Sequence, residues 1–282
     1  MTDKEFQQNE TEGPIGIFDS GYGGLTVFRE IYSQLPQYNY LYLGDNARVP
    51  YGTRSYETVY KYTLECVTHL AKMGCKLIIL ACNTASAKAL RTIQQQDLSK
   101  LNGLRRILGV IRPTTEIVGD FSKTGAVGIF ATQGTVDSRS YVVEIKKFFP
   151  DLNVYQEACP MWVPLVENNE HEAPGADYFV EKHVQNLLAK SPDIDTVILG
   201  CTHYPLLVKK IKKFLPSNVL ILSQGEIVAT SLVDYLKRHP EIENLCSKGG
   251  KYKFYTTETA ENFDMKAEVF FGQEVRSSHL KL

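Results

Sequence analysis

The chain is 282 residues long, 43% apolar and 22% charged, the composition of a globular protein able to bury a sizeable core. Its 31 Lys and Arg nearly balance 32 Asp and Glu, so no general electrostatic pull draws it toward nucleic acid or anionic lipid. No apolar run approaches the roughly 18 residues that a membrane-spanning helix needs.

The first dozen residues, MTDKEFQQNETE, are polar and lack the apolar stretch of a signal peptide. Residues 1–13 read as a polar N-terminal tail, and the cytoplasm as the default location. Short apolar runs then alternate with longer helical patterns. Strands are predicted at IGIFD (15–19), YLYLGD (40–45), LIILAC (77–82), RILGVI (106–111), AVGIFA (126–131), TVILGC (196–201) and VLIL (219–222). Helices are predicted over 24–35, 55–73, 84–95, 138–149, 177–190 and 205–214. Such alternation defines an α/β fold with mainly parallel sheets.

Part of this pattern occurs twice. IGIFDSGYGG at 15–24 resembles VGIFATQGTV at 127–136, and the strand ending in Cys82 is echoed, in the same order, by the strand ending in Cys201. Two related α/β halves follow from that repetition. Ligands of open α/β sheets sit beyond the carboxyl ends of the strands, where all four stretches finish. Two halves facing each other would set Asp19 and Cys82 on one wall of a cleft and Cys201 on the other.

A lone cysteine ending an apolar strand is ordinarily core packing. In ACNTAS, however, Asn83 and Thr84 open a helical segment. A thiol near a helix N-terminus is expected to have its pKa lowered from the free value of about 8.5. The N–H groups there, with the Asn and Thr side chains, suit a carboxylate. In GCTHYP, His203 stands two residues beyond Cys201, placed to tune or relay its proton; a capping histidine is the plainer reading. Cys82, Cys201 and His203 lack the close ligand pairs of a zinc site, and no C-x-x-C marks a redox pair.

The remaining motifs are less specific. FDSGYGGL lacks the spacing of a phosphate loop, so its glycines read as letting a ligand approach while Asp19 and Ser20 face it. RVPYGTRS has turn chemistry and leaves Tyr51 undecided. Glu167 in PLVENNE reads locally as a solvated carboxylate. Cys66 falls on the helical stripe Val59, Tyr62, Cys66, Leu70, Met73. Cys75 follows Gly74 at a helix stop and reads as structural. Cys159 in a Pro-flanked loop and Cys246 in a polar C-terminal turn carry no readable role.

Taken in order, IGIFDSGYGGLTV, LGDNARVPYGTRS, ACNTASA, GIFATQGTVDSRSY, VPLVE and LGCTHYPLL resemble the motifs of the glutamate racemases, cofactor-independent enzymes of the aspartate/glutamate racemase superfamily. The resemblance spans residues 15 to about 207. It implies Cys82 and Cys201 as two acid/base thiols, with Asp19, Glu167 and His203 supporting the proton transfers. It implies substrate contacts from Asp19, Ser20, Tyr51, Gly52, Asn83, Thr84, Thr202 and His203, with Thr132 and Thr135 nearby. It further implies two similar α/β domains, pseudo-twofold related, with the active site in the cleft between them: 14–110 joined by 224–282, and 111–223. Glutamate as substrate, no metal, no cofactor, a homodimer, and D-glutamate as a peptidoglycan precursor belong to the same implication.

Family members often carry Asp-Ser where this chain has Ser223 and Gln224, and GVIRPTTEI is a less usual form of its segment. Both departures bear on domain packing, oligomer geometry and regulation more than on the reaction. An aspartate racemase shares the two-thiol logic and differs in the length of its side-chain pocket. A non-catalytic amino-acid or phosphate binder built on the same halves is the alternative of another class.

Overall fold

The computed structural model describes residues 12–101 and 103–282. Residues 1–11 of the expected tail lie outside them. Gly13 belongs to the fold: its N–H donates to the Leu245 carbonyl at 2.9 Å, and its carbonyl accepts from the Ser247 N–H at 2.8 Å.

Among the described residues ten strands form two sheets. In chain order they are β1 (Ile15–Asp19), β2 (Tyr40–Gly44), β3 (Leu77–Leu80), β4 (Arg106–Gly109), β5 (Ala126–Ala131), β6 (Asn153–Ala158), β7 (Thr196–Gly200), β8 (Leu220–Leu222), β9 (Tyr252–Thr256) and β10 (Ser277–His279). The first sheet runs β10-β9-β2-β1-β3-β4 and the second β6-β5-β7-β8. Every pairing between these strands is parallel. The orders β2-β1-β3-β4 and β6-β5-β7-β8 are the same, so the echo in the sequence corresponds to one topology used twice. The chain's last two strands join the first sheet, with β9 in register on β2 from Tyr40↔Tyr252 to Gly44↔Thr256.

The central strands β1, β2, β3, β5 and β7 are buried along their whole length. Parallel strands covered on both faces need continuous apolar runs, which made them legible. The three unpredicted strands lack such runs. β6 is a half-exposed edge, NVYQEA, β9 mixes Lys and Thr with aromatics, and β10 is only SSH.

Helices differ from expectation mostly at their ends. Tyr56–Lys72 is capped by Ser55, whose hydroxyl accepts from the Thr58 N–H at 3.2 Å. The predicted helix over 84–95 is shorter: Asn83–Lys88, then Leu90–Thr92, then a wide π turn over Ile93–Asp97. The one over 138–149 runs over Ser140–Phe148, and Arg139, whose φ of 54° lies in the left-handed region, separates it from an unpredicted helix, Gln133–Ser138. Pro205 opens a 3-10 turn, Tyr204–Leu207, ahead of Val208–Phe214. The two longest of the unpredicted helices among the described residues are Gln224–Arg238 and Ala260–Phe271. The first had a signal, Val228, Leu232 and Leu236 at helical spacing, and those residues are buried. It packs on Gly24–Gln34.

Aromatic clusters fill the two lobes. Phe28 packs on Tyr40, Phe254 and Phe271, and Trp162 on Phe130 and Tyr204. No helix among the described residues is long and apolar enough to cross a membrane.

Candidate active site

The carboxyl ends of β1, β3, β5 and β7 converge on a cavity of about 130 Å³. Ser20, Tyr51, Gly52, Cys82, Asn83 and Thr84 line it from the first sheet's side, and Thr132, Glu167, Cys201, Thr202 and His203 from the second's. Of the expected site residues, Asp19 and Thr135 are not part of this lining and stand behind it. An apolar stretch of wall from Pro160, Val163 and Pro164 was not foreseen. Nothing in the local pattern separates those residues from ordinary core.

Cys82 is not in its strand. β3 stops at Leu80, and Cys82 caps the helix Asn83–Lys88, its Sγ accepting the Ala85 N–H at 3.4 Å. The thiol donates to Ser20 Oγ at 3.3 Å. Cys201 follows β7 directly, with Sγ 3.8 Å from His203 Nδ1. Both cysteines are 6% exposed.

The expectation of a lowered Cys82 pKa is corrected by the structure. Burial, helped by the neighbouring Asp19 carboxylate, pushes this thiol up to about 12, against the opposing bonds from Ser20 and Ala85. A six-residue helix offering one long N–H contact is too little to offset desolvation. Burial also raises Asp19, outweighing the His203 charge and the Gly21 N–H that donates to its Oδ2 at 2.9 Å. Asp19 Oδ1 is buried without a partner.

His203 behaves in the opposite way. Burial alone would lower it, but its contacts with Cys201 and Glu167 raise it to about 10. Its Nε2 lies 3.0 Å from Glu167 Oε1. Glu167, read locally as a solvated carboxylate, in fact ends the helix Trp162–Glu167 and faces the imidazole. The imidazole thus lies between the Cys201 sulfur and the Glu167 carboxyl group, and both contacts favour its protonated form.

Close approach of the two lobes depends on glycine. A Cβ on Gly23 would stand 2.2 Å from Thr202 Oγ1 and 2.5 Å from His203 Nδ1. Thr26 Oγ1 donates to the Thr202 carbonyl at 3.1 Å. Across the cavity, Thr84 Oγ1 lies 3.0 Å from Thr132 Oγ1 and 3.5 Å from Thr135 Oγ1, and the Gly134 N–H donates to the Gly52 carbonyl at 2.8 Å. Tyr51 lines the cavity with its body, because its hydroxyl is committed to Asp45 Oδ2 at 2.5 Å.

Fold and cavity together define an α/β enzyme that presents two buried thiols to one small cavity. A family model described as Asp/Glu/Hydantoin racemase matches residues 15–231. A glutamate racemase of Persephonella marina is 41% identical over 270 residues, covering 95% of this chain and 97% of its own. The glutamate racemase of Bacillus anthracis superposes with a TM-score of 0.86 at 35% identity, over 95% of this chain and 97% of that one. That of Francisella tularensis, solved in complex with D-glutamate, gives 0.83 at 30% identity, over 97% and 98%. The chain belongs to the Asp/Glu/Hydantoin racemase family and, within it, to the glutamate racemases.

Proposed function

We propose that the protein interconverts L- and D-glutamate by two-thiol acid/base chemistry without a cofactor. The observation that carries this reading is the pair of buried cysteines, one after β3 and one after β7, on a single cavity. With L-glutamate bound, Cys201 enters as thiolate and takes the α-proton. The Cα–H bond breaks and its electron pair shifts toward the α-carboxylate. Cys82 delivers its S–H proton to the opposite face, ending as thiolate while Cys201 ends as thiol. D-Glutamate reverses the roles.

A thiol pushed up to about 12 suits the donor, since it enters protonated. The imidazolium of His203, held by Glu167, is the charge partner that a thiolate at Cys201 needs. On the other wall, the substrate ammonium places a positive charge near Cys82 and eases its ionisation when D-glutamate is bound. Donors at Thr84, Thr202 and the neighbouring backbone stabilise charge developing on the α-carboxylate.

In this reading 14–110 with 224–282 form one domain and 111–223 the other, supported by β9 and β10 joining the sheet of β1 to β4 while β5 to β8 form their own. By the family resemblance, the enzyme works as a cytoplasmic homodimer, and its D-glutamate supplies peptidoglycan synthesis.

The test is L-glutamate in deuterated water, stopped early and resolved by chirality. New D-glutamate should carry α-deuterium, while the remaining L-glutamate carries little. Cys82→Ala should stop racemisation in both directions and leave slow exchange of L-glutamate without inversion. Activity should survive a metal chelator and a carbonyl reagent. Protium carried into the product, or near-normal racemisation by Cys82→Ala, would remove the two-thiol assignment. Faster turnover of aspartate in a parallel assay would reassign the substrate.

A further inference from the structure

A chain of buried polar groups runs from the helix Gln224–Arg238 to the cavity. Gln224, which stands where family members often carry the Ser of an Asp-Ser pair, places its Nε2 3.0 Å from the Val110 carbonyl and 2.7 Å from the Tyr141 hydroxyl, with Thr114 Oγ1 at 3.4 Å. The Tyr141 hydroxyl lies 2.7 Å from Asn83 Oδ1. Gln224, Tyr141 and Asn83 are all buried.

The direction of each bond follows from one carbonyl. Val110 O only accepts, so the group facing it is the Gln224 NH2. Turned over, that amide would set its oxygen against the Val110 carbonyl, and it keeps its orientation although Oε1 has no partner. The second hydrogen of the NH2 goes to the Tyr141 oxygen. Burial holds the Tyr141 phenol protonated, and its one proton is given to Asn83, whose facing atom is therefore the carbonyl oxygen. This leaves Asn83 Nδ2 on the other side of the carboxamide, buried and without a partner, on a residue that lines the cavity beside Cys82.

We propose that Tyr141 and Gln224 are positioning residues that lock the Asn83 amide so that its Nδ2 donates to a carboxylate of the bound amino acid. An ionised carboxylate only accepts. An Asn83 turned over would present oxygen to oxygen and repel it. Neither Tyr141 nor Gln224 lines the cavity, so both act through Asn83. The inference rests on the amino-acid substrate of the proposed function.

The experiment compares variants by kinetics and by calorimetric binding of D-glutamate. Tyr141→Phe removes one oxygen and should raise KM roughly tenfold to a hundredfold, the worth of a hydrogen bond to a charged group, with kcat changed much less. Asn83→Ala should raise KM by a similar factor. The double variant should be no worse than Asn83→Ala alone, because coupled residues are not additive. Gln224→Met, close in volume, should raise KM with the fold intact, and it decides the matter if Tyr141→Phe does not fold. Unchanged KM and Kd in the variants, or additive losses in the double, would overturn the relay. Wild-type protein that binds D-glutamate without racemising it would remove the proposed reaction while the Kd comparison still judges the relay.

Discussion

The Nε2 of His203 lies 3.0 Å from Glu167 Oε1, with both side chains largely withdrawn from water. Contacts with Glu167 and Cys201 overcome burial and raise the imidazole from its ordinary 6.5 to about 10. The stability this contributes is complete below the unfolded value near 6.5 and is lost as pH rises through about 10. Glu167→Gln should therefore lower Tm most at pH 6, with the gap to wild type closing toward pH 10. Thermal melts across that range check it, and parallel curves would show that the pair does not hold the proton. His203→Asn should depress kcat more than substrate affinity, and unequally in the two directions, because it serves one wall only. The equilibrium constant must stay near one.

All six cysteines are free and buried. Burial pushes the thiols of Cys66, Cys75, Cys82, Cys159 and Cys246 upward. The thiolate is the reactive form, so these five thiols should react slowly with a disulfide reagent at pH 7 in the ligand-free protein, and unfolding should release six equivalents. Mass mapping identifies any thiol that reacts early. Fast, stoichiometric labelling of Cys82 in the folded protein would contradict the direction of its shift.

Gly23 and Gly175 make a matched pair. A Cβ at Gly23 meets Thr202 and His203 at less than van der Waals distance, whereas at Gly175 it meets nothing within 4 Å. Gly23→Ala should cost roughly 1–3 kcal/mol through forced displacement and reduce kcat/KM by moving His203. Gly175→Ala, exposed in the helix Pro174–Leu188, should stabilise by about 0.5 kcal/mol with activity unchanged. Chemical denaturation and kinetics on both variants provide the comparison. An active, stable Gly23→Ala would mean that the lobes do not meet closely there.

Asp45 is fully buried and accepts from Arg48 Nε at 2.7 Å, Tyr51 Oη at 2.5 Å and Thr257 Oγ1 at 2.9 Å. Arg48→Met strands that carboxylate and should cost about 3–5 kcal/mol. Tyr51→Phe should cost about 1–3 kcal/mol and leave KM for glutamate close to wild type, because the hydroxyl faces Asp45. A large rise in KM with normal stability would instead give the hydroxyl to the substrate.

Several features were written in local sequence. The α/β class, the central strands and the two thiol-bearing strand ends were legible because a parallel strand covered on both faces must be an unbroken apolar run. Polar residues at its carboxyl end then stand out, as Cys82-Asn83-Thr84 and Cys201-Thr202-His203 do. The order of these motifs was enough to carry the family resemblance. Only the tertiary structure decided the rest. β6 and β10 are edge strands with too little burial to impose a pattern, and β9 takes its meaning from pairing with β2, at the far end of the chain. Glu167 meets His203 across 36 residues of sequence, so no local window shows it as more than a loop carboxylate. The upward shift of Cys82 is of the same kind: a helix N-terminus is a local signal, whereas desolvation sums over every element that closes around the thiol, and here that sum wins.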